Sequence, residues 1–162
     1  MLMQMKYGKS EIIFDIDQNR IIKTLEPNER QGISDPLNAV KKALKNPVET
    51  PPLADLLLAK KPKDVTIVVN DITRPTPYES LLPPLLEVLH DYGLRDDQIT
   101  FLTATGIHDP HTREQDLEVY GKDLVNKYRF VSHWADDASS LVEMCSLSTG
   151  LRLKINRLAV ET

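Results

Sequence analysis

A run of β-branched residues that stops abruptly at a proline-rich loop constrains the fold of this chain more than any other feature. Residues 65–69 are Val-Thr-Ile-Val-Val, and a run that is apolar without strict alternation predicts a strand buried on both faces of a parallel sheet. The strand cannot continue through residues 71–77, because Pro75 and Pro77 each lack a backbone N–H and have a fixed φ. The sequence therefore predicts a buried strand that ends in a stiff loop.

Two more strand segments follow, and each ends in polar residues. Residues 98–103 predict a strand that runs into a loop ending at His108, and residues 128–132 predict a third strand that ends at His133. Helical patterns separate the three strands. Because each crossover is about 30 residues long, the alternation predicts βαβ units with parallel strands and right-handed connections.

The helices are predicted from their start signals and their apolar spacing. These signals are Asp35-Pro36, Thr50-Pro51, the leucines of residues 81–89, and a capping box formed by Thr112 and Gln115. Two prolines, Pro83 and Pro84, leave two possible starts for the third helix. It begins at Ser80 with both prolines in its first turn, or near Pro77 with a kink.

The N-terminal segment predicts a β-hairpin, with strands at residues 11–14 and 20–25 around an Asp- and Asn-bearing turn. We therefore expect an α/β fold, a Rossmann-like three-layer domain with a mainly parallel sheet and an N-terminal β-hairpin. The expected organisation is a hairpin over residues 1–30, a parallel α/β core over about 35–135, and an extended C-terminal segment over 140–162.

Composition excludes several functional classes. A net charge of −4 argues against a general nucleic-acid surface, and no run approaches the ~20 apolar residues of a membrane span. The single cysteine, Cys145, excludes an internal disulfide, and the first residues show no secretory leader pattern. We therefore expect a cytoplasmic protein with neither nucleic acid nor membrane as a partner.

The residues at the predicted strand ends can carry chemistry. In a parallel sheet they converge on one edge, where ligands of such folds bind. Arg74 presents a planar fork suited to a carboxylate or phosphate, and a neutral imidazole at His108 could accept and return a proton. The plainer alternatives are a surface pair between Asp71 and Arg74 or a role of these residues in bracing the loop, and a histidine that is merely solvated.

The other histidines have weaker patterns. His108 and His111 form an H-x-x-H, but Pro110 breaks the helical register that would aim both rings at a metal, so no metal site is predicted in this chain. His133 precedes Trp134 and could be structural or catalytic. The sequence does not decide the roles of His111 and His133.

Two motifs in register resemble a known family. Asn70-Asp-Ile-Thr-Arg-Pro-Thr-Pro77 and Ala104-Thr-Gly-Ile-His108 are similar to the D-x-T-R-P-x-P and A-T-G-x-H segments of the nickel-pincer lactate racemases. Further short matches fall in order, so the resemblance covers nearly all of the chain. It implies a cytoplasmic enzyme that interconverts enantiomers of a small 2-hydroxy carboxylate, with hydride transfer to a nickel pyridinium thiocarboxamide mononucleotide.

The resemblance also implies residue roles. Arg74 would bind the substrate carboxylate, His108 would transfer the hydroxyl proton, and Asp71 would orient the site. Thr73 and Gly106 are the candidates for cofactor contacts. The chain departs from the family where Asp109 replaces a common basic residue and Trp134 replaces a common aspartate.

The family's lysine-bearing cofactor-tethering segment, its nickel-binding histidine and its second domain have no counterpart in residues 1–162. We therefore expect an N-terminal domain that is inactive alone and holds no cofactor alone, and whose partners are the substrate and the missing C-terminal domain. A non-catalytic domain that binds a small carboxylate or phosphate is the alternative, and an autonomous metal-dependent enzyme is a weaker one. Neither the hydroxy acid nor the oligomeric state can be predicted.

Overall fold

A computed structural model describes residues 1–161 as two compact units, residues 1–32 and residues 33–161. The first unit contains an antiparallel hairpin of β1 (Leu2–Tyr7) and β2 (Ser10–Asp15). The N-terminal hairpin is thus confirmed. The predicted strand at residues 11–14 lies within β2, but its partner is β1 and not residues 20–25.

Turn chemistry explains the different position of the hairpin. Tyr7 pairs with Ser10 across a two-residue loop, and Gly8 there has a φ of +60°, which a glycine adopts without steric cost. The predicted turn is instead a short 3₁₀ segment, Gln18–Arg20, because the Asp17 side chain accepts a hydrogen bond from the Asn19 amide. Residues 21–25, predicted as a strand, have no regular secondary structure.

The second unit is built on a three-stranded parallel sheet in the order β3-β4-β5. Its helices and strands are α1 (Pro36–Lys45), α2 (Leu53–Lys60), β3 (Val65–Asn70), α3 (Tyr78–Asp91), β4 (Ile99–Ala104), α4 (Arg113–Tyr120), α5 (Lys122–Lys127), β5 (Arg129–Ser132), β6 (Leu141–Ser146) and β7 (Arg152–Asn156). The last two strands pair antiparallel as a hairpin. The predicted α/β class with a parallel sheet is confirmed.

The register of the sheet brings the strand ends together. Asn70 at the end of β3 lies beside Ala104 at the end of β4, and Thr103 lies beside Ser132 at the end of β5. Parallel strands are only about 4.8 Å apart, so the loops that follow them leave the same edge side by side. This edge is where the sequence placed its candidate site.

One hydrophobic core joins the sheet to its helices. Phe101, fully buried in β4, stacks on Phe130 of β5 at 4.7 Å between ring centroids and meets the edge of Tyr128 at 5.5 Å. Leucines of α3, including Leu82 and Leu89, complete this core. Apolar burial and aromatic packing of this kind supply most of the driving force for folding.

The prediction that β3 is buried on both faces was wrong for the face that carries Val68. Val69 points into the core and is buried, whereas Val68 on the opposite face is 55% exposed. A β-branched run indicates a preference for extended backbone, and burial depends on what covers each face of the strand.

The predicted helices form. Of the two predicted starts for the third helix, the one near Pro77 is confirmed, because the helix begins at Tyr78 and contains Pro83 and Pro84 in its interior. The second helix begins at Leu53, slightly later than its signal, and α5 was not predicted at all. Among the helices of residues 1–161, none is both long and apolar enough to cross a bilayer.

Candidate active site

Two tyrosines hold the end of β3. The hydroxyl of Tyr120, at the end of α4, donates to the Asn70 carbonyl at 2.7 Å and lies 3.1 Å from the Thr103 hydroxyl of β4. The hydroxyl of Tyr78 accepts a hydrogen bond from the Asn70 amide. Both tyrosine side chains are buried, and burial is the largest cause that raises the pKa of each phenol, so both hydroxyls stay protonated donors. The last residue of the strand is thus fixed before the loop begins.

Asp71 closes the loop on itself. Its Oδ1 accepts hydrogen bonds from the Thr73 hydroxyl at 2.6 Å and the Thr73 amide at 3.2 Å, and its carbonyl accepts from the Arg74 amide at 3.1 Å. An aspartate that binds the backbone two residues ahead is a common way to start a turn. The turn leaves the second carboxylate oxygen available to another loop.

That second oxygen meets His108 from the loop after β4. Asp71 Oδ2 lies 2.6 Å from His108 Nδ1. The bonds from Thr73 and then from His108 lower the pKa of Asp71, which is therefore ionised near neutral pH and can only accept. His108 Nδ1 must then carry the hydrogen, and Nε2 of the neutral ring is left as a proton acceptor.

The open side of the histidine is accessible. The His108 side chain is 54% exposed, whereas Asp71 beneath it is only 6% exposed. A histidine held by a buried carboxylate on one nitrogen and open on the other is a common general-base arrangement.

Arg74 lies in the same cleft. A cavity of about 270 Å³ is lined by Asn70, Asp71, Thr73, Arg74, Ala104, Thr105, Gly106, Ile107 and His108. Among residues 1–161 the Arg74 side chain has no acidic partner within 4.0 Å, and the carboxylate of Asp71 is engaged by Thr73 and His108. The alternative of an Asp71–Arg74 pair is therefore wrong, and the guanidinium is free to hold an anion.

The two loop residues considered for cofactor contacts also line the cleft. Gly106 has a φ of +64°, which favours glycine and turns the loop sharply before His108. Thr73 lines the cleft from the loop after β3, and its hydroxyl donates a hydrogen bond to Asp71. The predicted meeting of Asp71, Arg74 and His108 in one cleft is confirmed by the geometry, while the chemical roles of these residues stay predictions.

The remaining histidines lie elsewhere. His133 lines a neighbouring cavity with Val68 and Lys154, and its Nδ1 is 3.3 Å from the Asn156 side chain. The His111 side chain is buried and does not line the cleft. The part of the chain that the structure describes contains no group of three His, Cys, Asp or Glu side chains arranged to hold a metal ion.

A larger cavity of about 450 Å³ lies between α1, α2 and α3, away from the strand ends. Lys41 and Glu87, which line it, neutralise each other in a pair at 2.6 Å. Because this cavity brings together no histidine and no buried carboxylate, the smaller cleft at the sheet edge is the better candidate site.

The lowered pKa of Asp71 predicts an acid-sensitive contribution to stability. A carboxyl group with a lower pKa in the folded state stabilises the fold above its unfolded pKa, near 3.8, and loses that contribution as the pH falls through the folded pKa. We expect Asp71→Asn to lower the free energy of unfolding at pH 7 by about 1.5–3 kcal/mol, the usual worth of hydrogen bonds to a charged group. The difference from the unsubstituted chain should shrink below pH 3.8 in urea titrations.

The neighbouring Asp109 offers the control for this prediction, since its side chain is exposed. Asp109→Asn should change the unfolding free energy by less than about 0.5 kcal/mol at either pH. An Asp71→Asn defect of the same size at pH 7 and pH 2 would contradict the assignment of the effect to ionisation.

Together, the fold and the site define an α/β domain that presents an acid–histidine pair and an unpaired arginine at the carboxyl edge of its sheet. Sequence comparison identifies the family more closely. The lactate racemase N-terminal domain family matches residues 7–162, which is almost the entire chain. The chain belongs to this family.

Individual relatives agree with this assignment. The chain is 33% identical over 161 residues to a lactate racemase of Thermoanaerobacterium thermosaccharolyticum, covering 98% of this chain and 37% of that protein. It is 37% identical over 122 residues to a lactate racemase of Lactiplantibacillus plantarum, covering 75% of this chain and 28% of the relative. The chain therefore spans roughly a third of the length of these relatives.

Solved structures show the same fold. The lactate racemase apoprotein of Thermoanaerobacterium thermosaccharolyticum superposes with a TM-score of 0.76 at 33% identity, over 99% of this chain and 37% of that one. A protein of Thermotoga maritima superposes with a TM-score of 0.55 at 21% identity, over 78% of this chain and 32% of that one. The second likeness supports the fold alone.

Proposed function

We propose that this domain is the N-terminal part of a racemase or epimerase that interconverts the enantiomers of a small 2-hydroxy carboxylate. The observation that carries the proposal is the 2.6 Å contact between Asp71 and His108 in a cleft that also contains the unpaired Arg74. Membership of the lactate racemase family supports the same reaction class.

Each side chain has a role that its geometry supports. The Arg74 guanidinium binds the substrate carboxylate with two parallel hydrogen bonds, which fixes the hydroxyl-bearing carbon in the cleft. His108 Nε2 takes the proton of the substrate hydroxyl as the carbon is oxidised and returns it when the carbon is reduced. Asp71 holds Nδ1–H and stabilises the positive charge that the ring acquires.

Removal of a hydride from the substrate carbon requires a cofactor, because no amino-acid side chain accepts hydride in this way. When bound, a nickel pyridinium thiocarboxamide mononucleotide supplies that hydride chemistry. In this proposal Thr73 and Gly106, which line the cleft, are the residues of this domain that would contact the nucleotide. Residues 1–161 offer no grouped metal donors, so we place the nickel ligands in the C-terminal part of the full-length protein.

The proposed partners are the substrate and that C-terminal part, since the domain corresponds to roughly a third of its relatives. The lone cysteine is compatible with the reducing cytoplasm proposed as the location.

The domain alone is expected to be inactive. Incubated with the nickel cofactor and either enantiomer of lactate, it should leave the enantiomeric composition unchanged by chiral chromatography. The full-length protein should racemise lactate or another 2-hydroxy acid under the same conditions. Racemisation by the isolated domain would contradict the assignment of the nickel ligands to the C-terminal part, and an inactive full-length protein across a panel of hydroxy acids would contradict the reaction class.

Anion binding without catalysis is the second candidate, favoured by the unpaired Arg74. Calorimetric titration of lactate into the full-length protein, together with a racemisation assay, distinguishes catalysis from anion binding alone. Binding without racemisation in the cofactor-loaded protein would favour this second function.

A further inference from the structure

His111 connects the ends of all three strands of the parallel sheet, although it lies outside the cleft. Its ring Nε2 is 3.0 Å from the backbone nitrogen of Ile72, in the loop after β3. Its ring Nδ1 is 3.0 Å from Asp116 Oδ1, in the first turn of α4. Its backbone N–H donates to the Ser132 hydroxyl, at the end of β5, at 3.1 Å. The side chain is only 3% exposed, so these contacts are protected from water.

Only one form of the ring satisfies both side-chain contacts. A backbone N–H can only donate, so Nε2 must present its lone pair to Ile72. The hydrogen of the neutral ring then lies on Nδ1, where the Asp116 carboxylate accepts it. Asp116 thus selects the tautomer that allows His111 to hold Ile72, in the way that a carboxylate orients a histidine in many sites.

Ile72 lies between the two residues that define the reactive turn. The preceding residue, Asp71, contacts His108 through Oδ2. Its Oδ1 accepts a hydrogen bond from Thr73, the residue that follows Ile72. The peptide that His111 holds is therefore the one that sets the direction of the Asp71 carboxylate. A small displacement there would move Asp71 away from the 2.6 Å contact with His108.

We propose that His111 is a positioning residue, which fixes the Ile72 amide and through it the Asp71–His108 pair. The assignment of the affected reaction rests on the function proposed above, whereas the effect on the loop does not. Asp116 supports this role, because its contact with Nδ1 fixes the tautomer of His111. His111 itself does not line the cleft.

Two substitutions of similar size separate this role from simple packing. In His111→Gln the side-chain amide reaches the position of Nε2, where its oxygen can accept from Ile72. In His111→Asn the amide reaches only the position of Nδ1, where it can donate to Asp116 but leaves the Ile72 N–H without an acceptor. A role limited to filling space would be affected about equally by both.

The first measurement is amide hydrogen exchange by NMR on the chain described here. We expect the Ile72 amide to exchange slowly in the unsubstituted chain and in His111→Gln, and at least about tenfold faster in His111→Asn, because its hydrogen bond to the residue 111 side chain is lost. Long-range ¹H–¹⁵N correlation should show the Nδ1–H tautomer for His111. Equal Ile72 exchange in the two variants, or the Nε2–H tautomer, would overturn the proposal.

The second measurement is steady-state kinetics of the full-length, cofactor-loaded protein. His111→Asn should lower kcat about 10- to 100-fold, as expected when a reacting group is misplaced, while KM stays within threefold because the Arg74 side chain is untouched. His111→Gln should restore kcat to within threefold. Equal kcat in the two variants would overturn the positioning role.

If His111→Asn does not fold, Asp116→Leu provides the same test, since Asp116 is nearer the surface at 14% exposure. Loss of the tautomer preference should again speed Ile72 exchange, and unchanged exchange would overturn the proposal. If the full-length protein has no racemase activity but the Ile72 amide shows the expected difference in exchange, the proposed reaction is contradicted and the positioning of the loop is still supported.

Discussion

His108→Ala in the full-length protein should lower kcat about 10²–10⁴-fold, the usual contribution of a positioned general acid or base. The physical reason is that Nε2 is the exposed nitrogen of a ring whose other nitrogen is held by Asp71 at 2.6 Å. Without the ring, the substrate hydroxyl would have to lose its proton to water. Water is not held in position there, and it is a much weaker base than imidazole near neutral pH. The measurement is the rate of racemisation at a saturating concentration of the hydroxy acid, monitored by chiral chromatography.

Asp71→Asn provides a more selective version of this experiment. The asparagine side chain can donate to Nδ1, which favours the tautomer with the hydrogen on Nε2 and removes the proton acceptor. We expect a loss on the order of 10²-fold or more, because the wrong tautomer disables a histidine that is otherwise in place.

His90 supplies the matched control for both variants. It lies at the end of α3 near the start of β4, at the opposite edge of the sheet, and its ring contacts the Leu94 carbonyl and the Tyr128 hydroxyl. His90→Gln should leave kcat within threefold, even if it lowers thermal stability. A His108→Ala rate within threefold of the unsubstituted protein would reduce His108 to a loop residue.

Arg74→Lys should lower kcat/KM about 10- to 100-fold although the positive charge is retained. An ammonium group offers a point charge instead of a planar fork, so it cannot reproduce two parallel hydrogen bonds to a carboxylate. Each hydrogen bond to a charged group contributes about 1.5–3 kcal/mol, and losing one of the two accounts for a loss of this size. Arg74→Ala should lose more, and most of the effect should be an increase in KM.

The control for Arg74 is Arg152→Lys in β7. Arg152 forms an exposed ion pair with Glu143 at 3.3 Å and lies outside the cleft lining. Arg152→Lys should therefore leave kcat/KM unchanged. If Arg74→Lys and Arg152→Lys have the same kinetics, Arg74 braces its loop instead of binding substrate.

The sequence identified the elements that depend on local chemistry. The helix α1 starts after Asp35 and carries Pro36 at its first position, as predicted, because the cap and the ring-locked φ act within a few residues. The capping box of Thr112 and Gln115 forms for the same reason. In the N-terminal hairpin the strand at residues 11–14 was predicted correctly, but its partner precedes it, because the chain turns at Gly8 and not at residues 15–19.

The parallel arrangement was also predictable, since crossover lengths and handedness leave few alternatives. From it followed the convergence of Asp71, Arg74 and His108 at one edge, which the structure confirms. The proline-flanked loop and the glycine turn, both evident in the sequence, restrict the backbone at these positions.

Only the tertiary structure decided which partners these residues have. Asp71 could have paired with Arg74, its neighbour in the chain, and instead binds His108, which is 37 positions away. His111 was assigned no role from its sequence context, and its contacts come from the loop after β3, from α4 and from β5. Hydrogen bonds between loops depend on the register of strands far apart in the chain, whereas motifs and caps depend on neighbours. For that reason the sequence by itself determined the site's ingredients and their shared edge, and the packed structure alone decided their pairing and tautomers.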